Sequence, residues 1–164
     1  MEAYKRHGHA LLRKATRMLG NKEDARDMVQ NLFIDLHQRD DAILDLPYLY
    51  RAITNRCLTF MRDESNRTRL LEANDVSPPP RTLCDERTIG LDLVTKLLRE
   101  LDIGDCEVLA YRYLDDMTQD EIAELLGLSR KTIGKRLDRI RDTVARLSAS
   151  PSSPSLPSST PGAS

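Results

Sequence analysis

The stretch TQDEIAELLGLSRKTIGKRLDRIRDTVARL, residues 118–147, decides the fold. Thr118 followed three residues later by Glu121 is a capping box, the signature of a helix start. Ile122, Ala123, Leu125 and Leu126 give that helix an apolar face, and Gly127 ends it as a residue free to take positive φ. Ser129 caps a second helix, in which Ile133, Leu137, Ile140, Val144 and Leu147 recur at alternating spacings of four and three, a buried helical stripe. Two capped helices joined by a tight turn form a helix-turn-helix pattern, whose second helix commonly lies in the DNA major groove.

Charge supports that use. From Leu128 to Leu147 there are seven basic residues and two acids, whereas Asp85 to Gly127 holds twelve acids against four bases. The net charge of −1 hides this division. A phosphate backbone attracts the last helix and repels the surface before it, so charge can set docking orientation. Mixed charge is also normal on a solvated helix, and it is the caps and turn that favour the DNA reading.

The rest of the chain reads as helical. Of its 164 residues only 4% are aromatic and 31% are charged, and alternating β-branched runs are absent. No apolar run is long enough to span a bilayer, and the charged first twenty residues lack a signal-peptide core, so a cytoplasmic location is expected. Cys57, Cys84 and Cys106 are widely spaced and odd in number, which argues against a disulfide framework. His7 and His9 point to different sides of a helix and chelate poorly; neither a metal nor a cofactor is expected.

Helices are predicted at about 4–19, from a cap at Asn21 to His37, and from Pro47 to about Asp63. The third carries Tyr50, Ile53, Cys57, Phe60 and Met61 on one side and Tyr48, Arg51, Asn55, Thr59 and Arg62 on the other. An aromatic ring, an amide and two guanidiniums suit single-stranded DNA, although spacing alone favours an ordinary polar face. Composition then shifts: Ser77-Pro78-Pro79-Pro80 lies in a linker. Helices resume near Thr88, with a turn at Ile103-Gly104 and a helix at 105–114 that turns Val108, Leu109 and Tyr113 inward. The Ser/Pro-rich end lacks the apolar surface needed to order it. The reading is an all-α chain of two small helical domains. An N-terminal bundle (1–69) and a four-helix domain with the helix-turn-helix (88–147) are joined by a linker (70–87) and followed by a disordered tail (148–164).

Three stretches resemble the bacterial extracytoplasmic-function sigma factors, small initiation subunits of RNA polymerase. Residues 24–33 (DARDMVQNLF) resemble the family's D-A-E-D-L-V-Q-E-x-F helix, and residues 48–55 (YLYRAITN) its W-L-Y-R-I-A-x-N segment. Leu101 through Arg141 resemble its C-terminal helix-turn-helix block. The resemblance implies that Asp27, Gln30 and Asn31 dock core RNA polymerase, with Phe33 supporting that helix from the core side. It implies that Tyr48, Arg51, Asn55, Thr59 and Arg62 take the unstacked −10 strand of promoter DNA. Arg130, Lys131, Thr132, Lys135 and Arg136 match the positions that meet the −35 element. The family also implies an anti-sigma partner, a monomer when free, and no catalytic residue. Tyr48 stands in place of the usual Trp, and Gly134 in place of a frequent Lys, removing a phosphate contact. The competing class is a dimeric helix-turn-helix regulator that binds palindromic DNA without polymerase. A metal-assisted hydrolase built on the acidic helix 23–35 lacks a convergent His, and a protein-only adaptor leaves the basic helix unused.

Overall fold

The computed structural model describes residues 2–38, 45–74 and 88–149. Seven α-helices and no strand occur among them: α1 (Glu2–Leu19), α2 (Lys22–His37), α3 (Leu46–Ala73), α4 (Thr88–Glu100), α5 (Ile103–Tyr113), α6 (Gln119–Leu126) and α7 (Arg130–Ala149). The first three form one helical domain and the last four a second. Most of the predicted linker and nearly all of the predicted tail lie outside the described residues.

Local chemistry sets the helix ends. Gly20, at φ 72°, stops α1. Asn21 Oδ1 accepts from Glu23 N at 2.8 Å to open α2, and Glu23 and Asp24 lie at its positive end. Asp45 Oδ1 accepts from Tyr48 N at 3.0 Å to open α3, with Pro47 in the first turn where its missing N–H costs nothing. The capping box at α6 is reciprocal: Glu121 N donates to Thr118 Oγ1 and Thr118 N donates to Glu121 Oε2. Thr118 N and the Thr118 hydroxyl, both donating to Glu121 Oε2, hold that carboxyl below its ordinary range. Ser129 Oγ accepts from Thr132 N at 3.1 Å and opens α7.

Three expectations need correction. Helix α3 continues past Asp63 to Ala73, so the predicted domain edge at residue 69 falls inside its final turns. Arg, Glu and Leu sustain the helix, and Arg99 of α4 clasps it by donating to Ser65 Oγ and Ser65 O, both at 2.8 Å. Ile103 and Gly104 are helical, because the Asp102 carboxylate accepts from Asp105 N at 2.7 Å and starts α5 early. Tyr113 is exposed at 56% while Tyr111 is fully buried, so the inner face of α5 keeps Val108 and Leu109 but carries Tyr111 in place of Tyr113.

The core runs through both domains. Leu11, Ala15, Val29, Leu32, Leu49, Ile53 and Cys57 fill the first, and Val108, Ile122, Ile133, Leu137 and Ile140 fill the second. Tyr111 joins them: its ring stacks on Tyr50 of α3, centroids 6.1 Å apart and planes 20° from parallel. Helix α3 packs along both α4 and α5, so the two domains share a seam.

Candidate nucleic-acid interface

Helix α7 presents its charge unevenly. Ile133, Leu137 and Ile140 are buried, leaving Lys131 and Lys135 exposed on the opposite side. Arg130 lies at the N-terminal end, 3.5 Å from Asp120 in an exposed pair. Thr132 faces back toward the turn, its hydroxyl 2.8 Å from Ser129 Oγ. Arg136, expected to face DNA, turns inward; its side chain is 24% exposed and its Nε is 3.9 Å from Asp105 Oδ1. A Cβ on Gly104 would collide with that guanidinium, so the glycine makes room for it.

Asp105 anchors the helix. It is 3% exposed and accepts two hydrogen bonds from Arg139, Nε to Oδ2 at 2.9 Å and Nη2 to Oδ1 at 2.7 Å. This bidentate clamp fixes the rotation of α7 against α5 and raises the affinity of Arg139 for its proton. The clamp was not legible as a functional feature, since Asp105 reads as one acid among many.

The α3 residues do not share one open face. Asn55 and Thr59 border a shallow groove with Met28, Arg56, Phe60 and Asp63, and Tyr48 is 39% exposed at its N-terminal end. Asn55 Oδ1 is buried without a hydrogen-bond partner. Arg51 and Arg62 instead turn toward the C-terminal domain. Arg51 Nε is 3.3 Å from Glu107 Oε1. Arg62 donates to Leu98 O at 2.9 Å and Leu101 O at 2.7 Å.

Beside them lies a buried polar cluster that the sequence did not announce. Lys14 of α1, its side chain 2% exposed, pairs with Asp115, and its Nζ sits 5.0 Å from the Tyr50 ring centroid and 5.2 Å from that of Tyr111. Burial lowers the Lys14 pKa despite that partner. Burial, reinforced by the Asp115 charge, raises the phenol of Tyr50, and burial next to Glu107 raises that of Tyr111.

On α2, Asp27, Gln30 and Asn31 are all exposed on one side, with Ile34 among them at 55% exposure. Ile34 was not among the candidates, because it lies off the apolar stripe and single apolar residues are common on a helix surface. Phe33 is partly buried and meets Tyr4 edge-on at 5.1 Å. Among the described residues no group of three or more His, Cys, Asp or Glu is arranged to hold a metal ion, and no helix is long and apolar enough to cross a membrane.

Comparison with known proteins agrees with this division. Residues 3–67 match Sigma-70 region 2 and residues 91–144 match Sigma-70, region 4. The chain is 33% identical over 161 residues to RNA polymerase sigma factor CnrH of Cupriavidus metallidurans, an alignment covering 88% of this chain and 82% of that one. It is 30% identical over 133 residues to an RNA polymerase sigma-E factor of Streptomyces avermitilis, covering 79% and 74%. Against RNA polymerase sigma factor NccH of Alcaligenes xylosoxydans xylosoxydans the identity is 29% over 154 residues, covering 87% and 82%. The chain belongs to the extracytoplasmic-function family of RNA polymerase sigma factors, the alternative subunits that direct transcription initiation.

Proposed function

We propose that the chain docks core polymerase through the α2 face of Asp27, Gln30 and Asn31, with Ile34 as its apolar centre. Lys131, Lys135 and Arg130 of α7 meet the −35 duplex. Tyr48, Asn55, Thr59, Arg51 and Arg62 take the opened −10 strand. Thr132 and Arg136 have a different part: Thr132 shapes the turn and Arg136 braces α7 from Asp105. The observation that carries this reading is the pairing, in one chain, of an exposed polar α2 face with a capped helix-turn-helix whose lysines face outward.

The physical division is simple. Lysines on a helix in the major groove neutralise phosphates and approach base edges, so binding falls steeply with salt. Unstacking bases costs a few kcal/mol each, which a ring at Tyr48 and the amide of Asn55 help to offset. The polymerase carries out the chemistry, and this chain needs no catalytic group. We further propose a cytoplasmic monomer held in check by an anti-sigma protein, with an N-terminal domain that extends to the end of α3 and a C-terminal domain that begins at α4.

In-vitro transcription with purified core polymerase on a randomised promoter library tests the reading. A two-part motif at fixed spacing is expected. Recovery of inverted half-sites bound by a dimer without polymerase would instead identify a free-standing regulator.

A further inference from the structure

Beyond Glu2, every charged residue of α1 is a cation. From Ala3 to Lys22 the chain has six lysines and arginines and no Asp or Glu. Lys14 and Arg17 meet Asp115, but Lys5 of α1 and Arg26 of α2 pair with no carboxylate among the described residues. These two cations and the His9 imidazole line a cavity of about 310 Å³ between the helices. Lys5 and His9 stand one turn apart on α1, and Arg26 borders the pocket from α2, whose acids Glu23, Asp24 and Asp27 do not line it. Leu12 and Val29 supply an apolar floor. Tyr4 supplies a wall, its ring held edge-on by Phe33 at 5.1 Å.

Gly8 keeps this cavity open. It is buried inside α1 and is not one of the positive-φ glycines, so no backbone conformation calls for it. A Cβ there would meet the Tyr4 ring at 3.6 Å, an ordinary contact, so packing does not forbid a side chain either. Glycine inside a helix is less stable than alanine, and what it provides here is the space between Tyr4 and Leu12, one turn to either side. We propose that the α1–α2 pocket binds a small organic phosphate carried on a flat ring, of the size of a nucleoside monophosphate. The cavity lies at the small end of the usual range for ligand sites, roughly 300–1,000 Å³, which suits one nucleotide. Lys5 and Arg26 take the phosphate oxygens through charge-assisted hydrogen bonds, and a His9 N–H adds a donor. The ring lies on Leu12 and Val29 against Tyr4, contacts that a bare anion cannot make. The site stands apart from the DNA-binding roles proposed for α3 and α7, since no residue of either helix lines it.

The test is an NMR titration of the full, isotope-labelled chain with AMP, GMP, CMP and UMP. Adenosine and inorganic phosphate at matched ionic strength are the controls. Saturable shifts at the amides of Tyr4, Gly8, His9 and Val29 are expected with at least one nucleotide, with weaker binding of both controls. Lys5→Gln/Arg26→Gln and Gly8→Leu should each weaken binding by at least about ten-fold, the first by removing charge-assisted bonds and the second by filling the space. Gly8→Ala keeps the test open if the leucine variant melts: it should raise Tm, as alanine does inside a helix, while weakening binding several-fold. A glycine required only for packing would not give that split. Absence of saturable shifts with all four nucleotides overturns the proposal. Inorganic phosphate binding as tightly as the nucleotides also overturns it, leaving an adventitious ion only. Binding that ignores both Gly8 variants but is lost with Tyr48→Ala places the nucleotide on α3 and overturns the pocket.

Discussion

Asp105, at the start of α5, grips Arg139 of α7 with both carboxylate oxygens, at 2.7 and 2.9 Å. The pair ties the reading helix to the helix behind it, and Arg136 leans on the same acid from one turn earlier. Replacing Asp105 by Ala should lower stability by about 1–2 kcal/mol. The loss stays moderate because the Arg139 side chain is 54% exposed and regains water. Denaturant melts should show the drop, and −35 duplex affinity should fall with it, since α7 loses its rotational anchor. An unchanged melt would mean that apolar packing alone holds the helix.

Gly134 sits mid-helix in α7, at a negative φ, with Gln119 Oε1 4.0 Å from where a Cβ would stand as its nearest neighbour. Gly134→Ala should therefore gain about 0.5–1 kcal/mol from reduced backbone entropy in the unfolded chain. A calorimetric scan should give a higher Tm, and a lower one would reveal crowding at that position.

Lys135 is exposed on the side of α7 away from the core. Lys135→Glu should abolish promoter-specific transcription with core polymerase. The milder Lys135→Ala should weaken binding across sequences and reduce the salt slope by about one ion. Unaltered salt dependence would remove Lys135 from the phosphate contacts.

Alkali should destabilise the fold. Burial pushes the Cys57 thiol from 9.0 to about 12. Between those values the unfolded chain has lost a proton that the folded chain keeps, so stability falls as pH rises, by up to about 4 kcal/mol across the window. Tyr50 and Tyr111, also raised, add to the fall above pH 10. Lys14, lowered by burial, opposes it, because its folded form gives up a proton before the unfolded one does. Urea melts at pH 8 and 10.5 should show Cys57→Ala losing less stability, or gaining more, than the parent across that interval. A change with pH that Cys57→Ala leaves unaltered would contradict the burial of that thiol.

How much of this was legible in the sequence follows from range. The caps at Thr118 and Ser129 and the stop at Gly127 are contacts within four residues, so α6 and the start of α7 could be read directly. At Ile103-Gly104 two local signals conflicted, and the Asp102 cap prevailed over the glycine break. The end of α3 was lost because apolar periodicity fades after Asp63; what docks that stretch is Arg99, 34 positions away from Ser65. The same limit hid the seam. Nothing local to Tyr111 marks it as the stacking partner of Tyr50, or makes Lys14 a candidate for burial beside Asp115. The polar side of α3 was read as continuous, yet packing divides it, giving Asn55 and Thr59 to a groove and Arg51 and Arg62 to the neighbouring domain.

The left-handed backbone at Gly127, φ 63° with nothing within 4 Å of where a methyl would stand, separates torsion from crowding. L-Alanine there should suffer by about 1 kcal/mol from handedness alone. The mirror-image residue, D-alanine introduced by chemical ligation, should be free of that torsional cost. The joint between the two helices is thus governed by chirality rather than by space, and asparagine is the natural residue best suited to replace it.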